Sequence, residues 1–127
     1  MTTIHQEVRI SAAPQRVYES LLQSERFSSM TGAPARIEAC EGGSFSCFGG
    51  MILGRNVELV PGRRVVQAWR VGNWPEGVYS IARFQLEPDG AGTRVVFDHA
   101  GFPAGDAAHL EAGWEKNYWK PLRDALA

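Results

Sequence analysis

The residues of this chain that could do chemistry on a small molecule are Arg55, Ser80, His99 and Tyr118. A guanidinium offers a two-pronged grip on a carboxylate. An imidazole can donate or accept a hydrogen bond, and a phenol can donate one. His99 and Tyr118 would form a general acid–base pair if the fold set them across one space. Stronger catalytic signatures are missing: there is no Gly-x-Ser-x-Gly elbow, no His-Glu-x-x-His pair and no phosphate loop. His5, His99 and His109 are scattered, so no metal-ligand set is expected. Cys40 and Cys47, seven positions apart, read as small half-buried hydrophobes rather than a disulfide or a zinc pair.

These side chains need elements to hold them. TIHQEVRI alternates, with Ile4, Gln6, Val8 and Ile10 on one face, and reads as a half-buried strand. SAAPQRVYESLL opens a helix in which Pro14 suits the first turn and Val17, Tyr18, Leu21 and Leu22 form a stripe. SERFSSM reads as a second short helix capped by Ser24, with Phe27 and Met30 on one side. From Ala35 to Ala100 the pattern becomes strands punctuated by glycine turns, a meander of six antiparallel strands. A last helix opens after Pro103 and Gly105 and runs to about Leu126. Its apolar face is Leu110, Trp114, Tyr118, Leu122 and Ala125, and Pro121 inside it predicts a kink near Asn117 or a break before the last turn.

Strand, two short helices, six strands and one long helix make a single α+β domain over residues 1–127. An antiparallel sheet must cover one face, and only the C-terminal helix is long enough to do so. The expected architecture is a helix grip: about seven curved strands wrapped around that helix, with a cavity between them.

Alternation along each strand sorts the side chains. On GRNVELV, Leu53, Val57 and Leu59 are the apolar set, which turns Arg55 inward with them. On YSIARFQL, Ala82, Phe84 and Leu86 bring Ser80 inside. On TRVVFDHA, Val95 and Phe97 bring His99 inside, and Asp98 then faces the other way.

The windows WRVGNWPEGVYS, GFP and GWEKNYWKPL, together with GAPARIEACEGGSFSCFGG and GRNVELVPGRRVV, resemble the activator of heat-shock-protein-90 ATPase homologue-like family, a branch of the START-like (SRPBCC) superfamily. The resemblance spans nearly the whole chain and implies the helix-grip fold. It also favours Trp69 inward, which carries Gln67 with it and sends Arg70 outward. The cavity lining expected on both grounds is Phe27, Met30, Arg55, Gln67, Trp69, Ser80, Phe84, His99, Trp114 and Tyr118.

Three functions are compatible with that lining. The first is a carrier of a small apolar or amphipathic ligand. The second is a co-chaperone-like module that meets a heat-shock-protein-90 homologue through exposed aromatics, for which Trp74, Phe102 and Trp119 are the candidates. The third is a small cyclase- or hydrolase-type enzyme. Trp74, in the GNWPEG turn, either folds back over the rim or serves as a lid or partner contact.

Composition narrows the context. Thirteen basic and fourteen acidic side chains leave a formal charge of −1, without the basic surplus that nucleic acid requires. No apolar run approaches the length of a membrane span, and the N-terminus lacks the pattern of a signal peptide. The expected compartment is the cytoplasm, the expected state a monomer or homodimer, and no cofactor is expected.

Overall fold

The computed structural model describes residues 2–127. Strand β1 (Thr3–Ile10) leads into helices α1 (Pro14–Leu22) and α2 (Ser24–Thr31). Six strands follow: β2 (Ala35–Ile37), β3 (Ser44–Cys47), β4 (Ile52–Val60), β5 (Arg64–Val71), β6 (Ser80–Asp89) and β7 (Gly92–Ala100). Helix α3 (Ala107–Trp114), a π-helical turn (Glu115–Trp119) and helix α4 (Lys120–Ala125) close the chain. The strands form one curved antiparallel sheet in the order β1-β7-β6-β5-β4-β3-β2. Short turns give the meander from β2 to β7, and β1 returns to pair with β7, so Ile4 sits opposite His99. This is the expected α+β helix grip, with the C-terminal helical run on the inner face.

The helical run is continuous through Pro121. Proline lacks the N–H that would bond four residues back, and the π-turn before it absorbs the mismatch in place of a break. The extra residue matters for packing. Leu110, Trp114, Tyr118 and Leu122 recur at four-residue steps, and each such step drifts about 40° around a regular α-helix. The π-turn takes up part of that drift and keeps the row on the sheet. It also lets two consecutive residues, Tyr118 and Trp119, both bury. The row continues to Leu126, which is buried; Ala125, expected in this face, is exposed.

Two local expectations fail for identifiable reasons. Ser24 does not cap α2; it is the first helical residue, with Gln23 before it. Its hydroxyl accepts the Ile37 N–H at 2.8 Å and donates to the Ile37 carbonyl at 3.3 Å, stitching α2 to β2. On β4 the register slips between Asn56 and Glu58, leaving Val57 as an extra, unpaired residue. A bulge reverses the facing of everything before it. Leu59 faces inward opposite Val65, but Asn56 and Gly54 are the inward residues upstream, opposite Gln67 and Trp69.

Gly54 is fixed by a close approach. A Cβ there would lie 2.0 Å from the Ala68 carbonyl oxygen and 2.5 Å from the Phe45 ring. The ring crosses the strand only because position 54 has no side chain. Gly54→Ala is expected to destabilise the fold by about 1–3 kcal/mol. Urea denaturation checks it; a midpoint equal to that of the parent protein would show that Phe45 has room to move.

Candidate functional site

Where α3 and the π-turn cross β5, β6 and β7, the polar groups join into one chain. The Trp114 indole Nε1–H donates to His99 Nδ1 at 3.1 Å. His99 Nε2 lies 2.7 Å from Ser80 Oγ, and Ser80 Oγ donates to the Trp69 carbonyl at 2.7 Å. An indole can only donate, so His99 Nδ1 must be the acceptor and its proton sits on Nε2. Every step then has one donor and one acceptor: Trp114 to His99, His99 to Ser80, Ser80 to the β5 backbone. His99 is 0% exposed, and burial pushes its pKa down to about 4. The ring is therefore neutral near pH 7.

Beside this chain the Trp69 Nε1–H donates to the Tyr118 hydroxyl at 3.4 Å. Burial raises the Tyr118 pKa well above the ordinary phenol value, so it acts only as a neutral phenol. Aromatic rings fill the remaining space. Trp69 and Trp114 lie 5.0 Å apart between centroids, Trp114 and Tyr118 4.4 Å, and Phe97 and Trp114 4.3 Å. What stays open between sheet and helix is a cleft of about 110 Å³, bordered by Phe48, Met51, Ile52, Trp69, Trp114 and Tyr118. His109 is exposed and borders this cleft.

The expected lining divides accordingly. Trp69, Ser80, Phe84, His99, Trp114 and Tyr118 meet around this interior, and Phe27 packs edge-on against Tyr118 at 5.6 Å. Gln67 is inward but lies further along the sheet, where Nε2 donates to Asn56 Oδ1 at 3.1 Å. Met30 is only half-buried and opens onto a separate groove between α2 and α4. Arg55 is a correction: it is exposed on the outer face, and Nη1 donates to the Gly42 carbonyl at 2.9 Å. The bulge at Val57 reversed its facing, so it cannot anchor a ligand in the cavity. Asn56 takes the inward place, fully buried, with Nδ2 donating to the Glu38 carbonyl at 3.0 Å. The polar Asn56 opposite Gln67 was the available signal, visible only once the bulge is known.

The aromatics that a contact through an exposed apolar patch would use are not at the surface, and of the two readings of Trp74 the fold-back over the rim holds. Trp119 is 1% exposed, its Nε1–H donating to Gln6 Oε1 at 2.7 Å. Trp74 is 8% exposed and folds back onto Trp69 at 5.9 Å, and Phe102 is partly buried against His99. Arg70 does face outward, yet the 72–77 turn covers it. Its guanidinium donates to the carbonyls of Gly72, Trp74 and Pro75 at 3.4, 2.6 and 3.2 Å, and so holds the turn that carries Trp74. Of the two cysteines, Cys47 is buried, its thiol pushed up to about 12 by burial, and Cys40 is exposed; both are free thiols.

This arrangement is poor at proton transfer. Both His99 nitrogens are occupied, so the ring cannot serve as a base toward Tyr118 without breaking the chain. Among the described residues no group of three or more His, Cys, Asp or Glu side chains could hold a metal ion. The network predicts a pH effect instead. The unfolded chain takes up a proton on this imidazole near pH 6.5, whereas the folded ring resists until about 4. Its stabilising contribution is therefore fully present above pH 6.5 and is lost as pH falls toward 4. The loss is expected to be on the order of 3 kcal/mol. Urea-unfolding free energies between pH 4 and 7.5 for the parent and His99→Gln proteins check this. Subtracting the two curves should leave a rise with pH; a flat difference would mean that the ring is solvated.

Comparison with known proteins follows the same geometry. Residues 11–127 match the family model of Activator of Hsp90 ATPase homolog 1-like proteins. A relative from Dictyostelium discoideum, an activator of 90 kDa heat shock protein ATPase homolog, is 32% identical over 116 residues, covering 91% of this chain and 30% of that protein. The chain thus spans about a third of the length of such curated relatives. The crystal structure of an HSP90 activator from Plasmodium falciparum superposes with a TM-score of 0.93 at 21% identity, covering 99% of this chain and 96% of that one. The solution structure of an Aha1 dimer from Colwellia psychrerythraea gives 0.83 at 25% identity, covering 99% and 96%. Fold, motifs and family model agree: the chain belongs to the family of Activator of Hsp90 ATPase homolog 1-like proteins.

Proposed function

We propose that this chain is a cytoplasmic co-chaperone-like module that works through its surface on a heat-shock-protein-90 homologue. The observation that carries the reading is the filled interior. Sites for small organic molecules usually measure about 300–1,000 Å³. The space between sheet and helix is about 110 Å³, because Phe27, Phe84, Phe97, Trp69, Trp114 and Tyr118 occupy it. The names of the curated relatives support the choice of partner.

A second reading is favoured by one feature. Tyr118 accepts from Trp69, and its own hydroxyl proton has no acceptor among the described residues. A small ligand with a carbonyl or hydroxyl group, entering the cleft beside Met51 and Ile52, would supply one.

Calorimetric titration of the purified heat-shock-protein-90 homologue into this protein separates the two. The expected outcome is a stoichiometric complex with a Kd on the order of micromolar, the range of transient signalling contacts, together with a changed ATPase rate of the chaperone. Native mass spectrometry should show the bare 14.0 kDa chain. No heat, no rate change and a co-purifying small molecule would reverse the order of the readings.

A further inference from the structure

The outer face of the sheet divides into two unlike halves. Toward β1 and β7 it is laced with ion pairs: Arg94 with Glu7 and Glu87, Arg83 with Asp98, Arg9 with Asp89, and His5 between Glu7 and Asp98. Toward β2 to β5 the lacing thins to one pair among the described residues, Arg64 with Glu58 at the far end of β4 and β5. Arg36 and Arg55 are exposed there, and among the described residues neither forms an ion pair. Both border one groove of about 820 Å³ with Leu53 and Tyr79. Apolar side chains continue the same surface: Val57 is 53% exposed, Tyr79 49% and Ile81 49%. Their positions follow from register. Arg36, Ser46, Leu53 and Arg70 form one cross-strand row, and Ser44, Arg55, Ala68 and Ile81 form the next.

The carboxylate within this groove is already engaged. Glu38 Oε1 accepts from the Ser44 hydroxyl at 2.7 Å and the Ser44 N–H at 3.0 Å. Those bonds, with a smaller contribution from the charge of Arg55, hold its pKa below the ordinary value. Behind the groove the buried Arg70 adds a third guanidinium, whose Nη atoms donate to carbonyls and whose plane lies 5.6 Å from the Tyr79 ring, while its buried Nε has no partner and no ion pair forms among the described residues. The half-face is therefore apolar at its centre and carries three guanidiniums, Arg36, Arg55 and Arg70, against the two carboxylates of Glu38 and Glu76.

We propose that this half of the outer sheet face, built on Arg36, Leu53, Arg55, Val57, Tyr79 and Ile81, docks a partner protein segment that presents acidic and apolar side chains together on one face, at every second position of an extended strand. An extended segment laid across the strands would set its carboxylates on Arg36 and Arg55 in two-pronged pairs. Its apolar side chains would cover Leu53, Tyr79 and Ile81. This deepens the reading of the chain as an interaction module by naming the surface and the chemistry of what it holds.

The test uses the ¹⁵N-labelled full chain and two synthetic peptides, one with Glu, Leu and Val at every second position and Ser between them, the other with Lys in place of Glu. The Glu peptide is expected to shift amides of β3 to β6 around Arg55 and Ile81, and to bind at least about tenfold more weakly to Arg36→Glu/Arg55→Glu, whose positions are solvent-exposed. The Lys peptide is expected to bind the parent weakly and the double variant better. Shifts confined to the β1–β7 half or to the helices would overturn the proposal, as would equal affinity for parent and variant. Concentration-dependent shifts of the same amides without peptide would assign the face to self-association and also overturn it. The heat-shock-protein-90 homologue gives the separating arm. If it binds parent and double variant equally, this surface is wrong while the co-chaperone reading stands. If it binds neither while the Glu peptide behaves as expected, the surface stands and the co-chaperone reading falls.

Discussion

A helix laid on the concave face of a sheet excludes water from the polar atoms between them, so those atoms must satisfy one another. In this protein one imidazole does most of that work. His99 accepts from the Trp114 indole on the helix and donates to Ser80, which passes the bond to the Trp69 carbonyl on the neighbouring strand. The chain ties helix, β5, β6 and β7 together at a single point. It works only with His99 neutral and protonated on Nε2. The chain pins the Trp114 indole, Tyr118 accepts from the Trp69 indole, and Phe97 packs against Trp114 beside them.

That constraint shifts the expectation about function. A helix grip is a natural container, yet its content here is its own side chains. The π-turn contributes directly, since it turns Trp119 as well as Tyr118 onto the sheet. With the interior committed to packing, the outer face becomes the surface with unspent interactions. One half of it is laced with ion pairs, and in the other Arg36 and Arg55 form none among the described residues. The difference lies between strands of the same sheet, so it is set by side-chain choice and not by the fold. Membership of a family whose curated members are named for activating a chaperone ATPase agrees with a protein that acts by contact.

Much of this was legible in the residues. The strand and helix order, the seven-stranded sheet and the inward facing of Ser80, Phe84 and His99 follow from alternation and turn chemistry. The failures are physical and local. Arg55 was turned the wrong way because alternation across Val57 cannot reveal a bulge, which depends on the register of the partner strand. Ala125 was placed on the buried face and Trp119 among the exposed candidates because a π-turn changes the helical period, and Pro121 announces a disturbance without giving its form. Ser24 looked like a cap because its type suits one, but β2 offered its hydroxyl both a donor and an acceptor. Trp74 takes the fold-back reading, and Arg70 secures it with three carbonyl bonds that hold the turn over Trp69.

The measurement closest to the central claim is the ring-nitrogen NMR spectrum of His99 in the folded protein at pH 6. A buried, neutral ring held between Trp114 and Ser80 should show one protonated nitrogen, Nε2, and one bare nitrogen, Nδ1, with an Nε2 proton that exchanges slowly with water. A fully protonated ring, or the proton on Nδ1, would contradict the chain that closes the interior.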